Sequence, residues 1–387
     1  MTAVRVIKRY GMNDVRYYAR LLSSQVLRKL SLRKLPNMIR AVLDWKIHST
    51  IVRSRPFVVR IEVSAACNLR CLSCSTAKKT FKPGQIRMMT LDWFRTIYSQ
   101  LARYASRVTF YQWGEPMTNP RLFDMVKFTS DRSVFTSLCT NFTLMKENLI
   151  EPLFESKLDW LSVCLDGFTQ EAYEKYRVNG DVSRVKEGIK MVVRHKKERH
   201  SRHPVLNVYT ILFKHVLPEL NTITTFCKEV GVDLLTFRPD ESNTYLDGTY
   251  TQEPQRPTKR CFWPWLTINI DVDGSVYPCP VAFARRKSQR DQGPTFSECH
   301  TEPYGNLLTH SLDEIWNNDL YVETRKYLSG AGRTACSLNL PCYNCRWYGT
   351  GHTHTPTERP LPLYTIRTKD TPADQVLEPE GASSRAK

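Results

Sequence analysis

Long apolar runs are missing from this chain, and so are the marks of export. Stretches such as Val205–Phe213 are strand-length, far short of the roughly 20 residues a spanning helix needs. The opening decapeptide carries Arg5, Lys8 and Arg9 with no apolar block behind it, which is not the pattern of a secretory signal. The expectation is a cytoplasmic protein, at most peripheral to a membrane. Histidine is absent between residues 49 and 194, which removes the commonest nitrogen ligand from more than a third of the chain. Acid is scarce at the start. Residues 1–60 hold two Asp against fourteen Lys and Arg, so +12 of the net +18 sits there. No nucleic-acid-binding motif accompanies that charge, and no nucleic-acid partner is expected. Leu21, Leu22, Val26, Leu27, Leu30 and Leu32 interleave instead with Arg28, Lys29, Arg33 and Lys34. Such a basic amphipathic leader suits peripheral contact with an anionic membrane or an acidic partner, or else a helix packed on the main domain with its basic face in water.

What the chain does have is cysteine. Twelve are present, and eight fall in three places: Cys67–Cys74, Cys261 with Cys279, and Cys336–Cys345. In a reducing compartment, short spacings read as metal ligands rather than disulfides. The remaining thiols, Cys139, Cys164, Cys227 and Cys299, are scattered, and Cys139, Cys227 and Cys299 read as packed side chains.

From Phe57 the pattern becomes short apolar strands alternating with amphipathic helices. Strands are expected at 57–63, 108–112, 134–140, 160–166, 206–211 and 234–238, with helices near 91–104, 121–130, 146–156, 185–197 and 217–230. Six β–α repeats with apolar strands imply an α/β protein with a parallel sheet under helices, an open, partial barrel whose site lies at the carboxyl ends of the strands. Regularity stops around Pro239–Pro257. The expected organisation is a basic leader at 1–55, the barrel at 56–250, a second module at 251–350 and a flexible tail at 351–387.

Directly after the first strand stand Cys67, Cys71 and Cys74. Three thiolates on one short loop can hold three irons of a cubane and leave the fourth without a protein ligand. Closed zinc would want a fourth ligand close by. This loop resembles that of the radical S-adenosylmethionine (SAM) superfamily, whose hallmark is Cys-x3-Cys-x2-Cys after the first strand of a partial (β/α)6 barrel. The resemblance implies a [4Fe–4S] cluster whose free iron is chelated by SAM, and reductive release of a 5′-deoxyadenosyl radical. It also implies a one-electron donor such as flavodoxin or ferredoxin. Further matches run in family order. Trp113-Gly114-Glu115-Pro116 resembles the Gly-Gly-Glu-Pro turn, with Trp for the first Gly, and Thr140-Asn141-Phe142 resembles Thr-Asn-Gly. Ser162 to Gly167, which includes Asp166, resembles the family's Ser-x-Asp-Gly strand, and Tyr176-Arg177 opens a segment whose Arg pairs with the methionine carboxylate. The resemblance thus implies cofactor contacts from Trp113, Gly114, Glu115, Pro116, Asn141, Asp166 and Arg177. As a residue in its own right, Asp166 could equally cap the next helix.

Cys261, Cys279, Cys342 and Cys345, with Tyr304-Gly305-Asn306 and Leu312–Trp316 between them, resemble the SPASM or shorter twitch extension. Four thiolates would close one auxiliary [4Fe–4S] cluster, with Cys336 as a substitute ligand; a zinc ribbon uses the same arrangement. One auxiliary cluster resembles that of a cyclitol dehydrogenase, and implies oxidation of a polar small molecule such as a sugar or cyclitol. Peptide maturation is the second expectation, with a peptide as substrate, and a non-catalytic zinc adaptor the third. Arg238, at the end of the sixth strand, is the candidate to hold a substrate oxygen, and Asp240 or Glu241 to take the proton.

Overall fold

The computed structural model describes residues 29, 31–72, 74, 76, 85–239, 261–280, 282, 302–330, 340–342 and 364–368. Its frame is set by strands whose two faces differ. In β1 (Val58–Ile61) and the residues after it, Val59, Ile61 and Val63 point into the helix-covered core while Arg60 and Glu62 take the other face. The same alternation runs through β2 (Arg107–Thr109), β3 (Phe135–Thr140), β4 (Trp160–Cys164), β5 (Val205–Leu212) and β6 (Leu234–Pro239). Val108, Leu138, Leu161, Val163, Leu206, Val208 and Leu235 join one core. Because successive residues of a strand point to opposite faces, the alternate positions form a polar lumen.

The strands pair in parallel, each with the next in sequence, from β1 to β6. Helices α2 (Leu91–Leu101), α3 (Leu122–Ser130), α4 (Ile150–Glu155), α5 (Gln170–Glu174), α6 (Val182–Glu198) and α7 (Leu220–Val230) return the chain between them. Local chemistry fixes their ends. Asp181 accepts from Ser183 and Arg184 N–H groups at the start of α6, and Gly231 ends α7 in the left-handed region at φ 91°, where a side chain would be strained. This is the expected partial (β/α)6 barrel.

The second module packs directly onto the first. After α8 (Trp263–Leu266), β7 (Thr267–Ile270) pairs in parallel with β1, followed antiparallel by β8 (Ser275–Tyr277) and β9 (Gly305–Asn306). Trp265, Ile268, Ile270 and Trp316 share the barrel's core. Thr267–Ile270 is buried at every position, and its Ile268 and Ile270 complete the core at the open side of β1. Within the segment 351–387, Tyr364–Arg367 forms β10, antiparallel to β6, where it covers an edge that would otherwise expose unpaired backbone groups. Among the described residues the sheet thus has ten strands in the order β10-β6-β5-β4-β3-β2-β1-β7-β8-β9.

Helix α1 (Leu35–Lys46) packs against α8; of the basic amphipathic stretch before it, Leu21, Leu22, Val26, Leu27, Arg28 and Leu30 lie outside the described residues. The chain after it is tied in by Arg325, on α10 (Asp319–Leu328). Its buried guanidinium donates to Pro264 O, Thr50 O, Asn317 Oδ1 and Trp316 O at 2.9–3.3 Å. Burial lowers its pKa to about 10.

Candidate active site

The loop after β1 is held like an extra strand: Arg70 and Leu72 N–H donate to Val178 O and Tyr176 O. Cys71 is buried, and Cys67 and Cys74 are half-buried. Leu69 N–H donates to Cys67 Sγ at 3.4 Å, Asn141 Nδ2 to the same sulfur at 3.8 Å, and an Arg177 terminal N–H to Cys71 Sγ at 3.7 Å. Burial pushes the Cys67 thiol up to about 12 and raises Cys71, against the opposing pull of Arg177. Among the described residues no three His, Cys, Asp or Glu converge on a point where a single ion could sit. The three thiols lie close enough that Cys71 and Cys74 raise the pKa of Cys67, and Cys74 that of Cys71. Soft thiols receiving N–H···S bonds fit an iron–sulfur cluster.

The turn after β2 is built against this loop. Glu62 accepts from the Trp113 and Gly114 N–H groups at 3.0 and 2.9 Å, and Glu115 N–H donates to Ala66 O at 2.8 Å. A Cβ on Gly114 would lie 1.9 Å from Ser64 O, so only glycine fits. Glu115 is turned inward. It accepts from Thr140 Oγ1 (2.6 Å), Asn141 N (2.8 Å) and Met117 N (2.9 Å), bonds that oppose the rise in its pKa caused by burial. Pro116 starts a short 3-10 turn, and the chain then anchors through Asn119 to Val63 O and Met89 O. Phe142 holds a left-handed φ of 63° where the motif has glycine, its ring close enough to Gly188 that a Cβ there would meet it at 2.9 Å.

Asp166 does not cap the next helix; Thr169 does, accepting from Ala172 N–H. Asp166 is fully buried, accepting from Ile211 N–H at 2.6 Å and from Arg177 Nε at 2.7 Å. It faces Arg177, and Arg177 faces Cys71. The structure therefore groups Trp113 to Pro116, Asn141, Asp166 and Arg177 around the three-thiol loop, with Asp166 and Glu115 acting through their neighbours.

On β6 an Arg238 terminal N–H donates to Tyr209 Oη on the adjacent β5 at 3.1 Å; Asp240 and Glu241 lie outside the described residues. Three features escaped the sequence reading. Cys139 is not a packed core thiol: its sulfur lies 3.7 Å from that of Cys164 on the lumen face. Arg60 Nε, Gln112 Oε1 and both polar atoms of Asn269 are buried with no protein hydrogen-bond partner. Arg60 and Asn269 are register neighbours on β1 and β7. Strict alternation along each strand was the available signal for these lumen positions.

Of the second thiol set, Cys261, Cys279 and Cys342 are described; Cys345, Cys336 and Cys299 fall outside. Cys279 Sγ accepts from Ala282 N–H at 3.3 Å, and Cys279 and Cys342 both lie close enough to buried Tyr304 that their charges would raise its pKa further. Trp113 and Cys279 pack against the pair formed by Tyr277 and Ala282, so the motif's departure from glycine places an indole against the hairpin.

Residues 61–216 match the Radical SAM superfamily, and residues 261–346 the SPASM domain, described as an iron–sulfur cluster-binding domain. The chain is 24% identical to the tungsten-containing aldehyde ferredoxin oxidoreductase cofactor-modifying protein of Pyrococcus furiosus, over 73% of this chain and 87% of that one. It is 27% identical to an AdoMet-dependent heme synthase of Methanosarcina barkeri, over 46% of this chain and 48% of that protein, about half the length of each. In fold it is similar to Streptococcus suis SuiB bound to S-adenosylmethionine, with a TM-score of 0.56, 17% identity, and coverage of 81% and 80% of the two chains.

Proposed function

Starting from the chain's place in the radical SAM superfamily, with a SPASM iron–sulfur domain behind the barrel, we propose that it is an oxidoreductase acting on a polar, hydrogen-bonding substrate in the lumen. Cys67, Cys71 and Cys74 would hold the first [4Fe–4S] cluster, and Cys261, Cys279, Cys342 and Cys345 an auxiliary one. Bound there, the first cluster and SAM supply a carbon radical that abstracts hydrogen, and the second cluster an acceptor for one electron. The protein's part is positioning. Arg177 directs charge at the cluster loop, the Trp113–Pro116 turn and Asn141 frame the SAM side, and Arg238 with Tyr209 meets a substrate oxygen.

The observation that carries this reading is that Arg60 Nε, Gln112 Oε1 and both polar atoms of Asn269 are buried without protein partners. Such atoms cost free energy unless a ligand or water satisfies them, and a sugar or cyclitol would offer the necessary hydroxyls. Asp240 is the proposed proton acceptor. A specific likeness favours a second reading, peptide modification. SuiB has also been solved bound to its precursor peptide SuiA, and resembles this chain in fold with a TM-score of 0.56.

Anaerobic reconstitution with a reducing partner such as flavodoxin tests both. About eight irons per chain and 5′-deoxyadenosine formation are expected, with a two-unit mass loss in a polyol substrate. A mass change confined to peptide substrates would select the second reading. Zinc at stoichiometric level with no 5′-deoxyadenosine would sink both.

A further inference from the structure

Ten large hydrophobic side chains are exposed among the described residues, and six of them lie between positions 32 and 51. Single exposed apolar residues are ordinary on a protein surface; a contiguous patch calls for an occupant. Ile39 and Leu43 on α1, and Ile47 directly after it, are spaced four apart and so stand in one ridge along the helix. They are 52%, 55% and 72% exposed, and Ile51 continues the patch at 70%. The helix docks on the protein by another face, where Ala41 is buried and Trp45 meets the edge of Phe262 with ring centres 6.5 Å apart. The ridge is therefore not the surface α1 uses to join the fold.

Its charge is of one sign. Arg33, Arg40, Lys46 and Arg53 are exposed around it. The acid within positions 31–53, Asp44, is half-buried and accepts from Ser54 Oγ at 2.6 Å. Its position is equally specific. Lys34 Nζ donates to Ala105 O, ahead of β2, and Trp265 Nε1 to Ser49 O, ahead of β7. These contacts lie at the amino ends of the strands, whereas Cys67–Cys74 follows the carboxyl end of β1.

We propose that the α1 ridge seats the protein on an anionic lipid bilayer. Ile39, Leu43 and Ile47 enter the boundary between headgroups and acyl chains, and Arg40 and Lys46 meet lipid phosphates or carboxylates. The chain lies on the surface rather than crossing it: among the described residues no helix is long and apolar enough to span. Seated this way, the protein keeps the cluster-binding end of the barrel turned to the aqueous side, where an electron donor and a polar substrate reach it. A second copy fits the ridge poorly, since an isologous contact would set its cations against themselves. This inference is independent of which substrate the lumen takes.

Co-sedimentation of the full chain with phosphatidylcholine vesicles, with and without roughly 30% phosphatidylserine, tests it. Binding at least about tenfold stronger to the anionic vesicles is expected, weakened in high salt by charge screening. The triple variant Ile39→Ser, Leu43→Ser, Ile47→Ser and the double variant Arg40→Glu, Lys46→Glu should each lose it. These side chains are exposed, so circular dichroism and iron content should match the wild type, which separates lost docking from lost folding. Wild-type protein left in the supernatant with anionic vesicles would overturn the proposal. So would a dimer in solution that the triple variant splits, or a triple variant that still pellets with the vesicles.

Discussion

Arg177 sets both Nε and a terminal nitrogen on the same oxygen of Asp166, at 2.7 and 2.5 Å, while its other terminal nitrogen reaches Cys71 Sγ. A buried pair of this kind is costly to break from one side, because the remaining charge is left without a partner. Asp166→Asn should therefore destabilise the protein by about 3–5 kcal/mol and free Arg177 to leave the thiol. Arg177→Lys keeps the charge but loses the planar fork. Urea unfolding and iron counting read both variants. An Asp166→Asn protein with the wild-type midpoint and full iron would refute this account of the pair.

The indole of Trp113 joins two parts of the chain that are far apart in sequence, the turn after β2 and the Tyr277–Ala282 pair. Truncating a packed tryptophan removes its contacts and leaves a void. Trp113→Ala is expected to lower stability by about 3 kcal/mol and to disturb the electron paramagnetic resonance spectra of both reduced clusters, since its indole packs on the hairpin and its turn is bonded to Ala66 beside the cysteine loop. A change confined to one spectrum would mean that the indole does not link the two centres.

Much of this was legible in the sequence, for particular physical reasons. The six strands of the barrel were readable because each is a short, strongly apolar run between helices with periodic apolar faces, and the observed strands Trp160–Cys164 and Leu234–Pro239 differ from expectation only at their ends. The cysteine loop was readable because spacing alone specifies it. What escaped was pairing between distant segments. Nothing local in Thr267–Ile270 says that it lies parallel to β1, or in Tyr364–Arg367 that it borders β6. Likewise Cys139 and Cys164 are 25 residues apart in sequence, and only the β3–β4 register brings their sulfurs together.

Gly114 admits no side chain, for reasons of space: a Cβ would overlap Ser64 O at 1.9 Å, and both atoms belong to backbone that hydrogen bonds hold. Gly114→Ala should push the turn off the cysteine loop. The expected result is loss of about half the iron, drawn from the site of Cys67, Cys71 and Cys74, with the second site retained. Mössbauer quantification of clusters checks this; full loading with normal 5′-deoxyadenosine yield would contradict it.

Alkaline stability should depend on Tyr98, whose buried hydroxyl has no protein hydrogen-bond partner. Burial pushes its phenol up to about 12, with Arg132 pulling the other way. The folded-state value is thus raised above the unfolded one near 10. Its contribution is fully present below about pH 10 and is lost as pH rises through about 12, roughly 1.4 kcal/mol per unit of pH between them. Tyr98→Phe should match or slightly exceed wild-type stability at pH 8 and lose less of it at pH 11. Paired urea titrations at the two pH values decide; equal losses in both proteins would show that Tyr98 does not govern the alkaline limb.

The contact of Arg238 on β6 with Tyr209 Oη on the adjacent β5, at 3.1 Å, separates radical generation from radical use. Both residues stand on β5 and β6, whereas the cysteine loop follows β1, so Arg238→Gln should still form 5′-deoxyadenosine from SAM in the absence of substrate. Product formation should fall about 100-fold, the scale on which misplacing a bound substrate costs rate. Tyr209→Phe removes one neutral hydrogen bond, about 1 kcal/mol, and should raise KM several-fold with little change in kcat. The diagnostic quantity is the ratio of 5′-deoxyadenosine to product, which rises steeply in Arg238→Gln and modestly in Tyr209→Phe. A ratio unchanged in both variants would move the substrate away from this side of the lumen, toward Arg60 and Asn269. A parallel loss of 5′-deoxyadenosine and product would mean instead that Arg238 supports the SAM site.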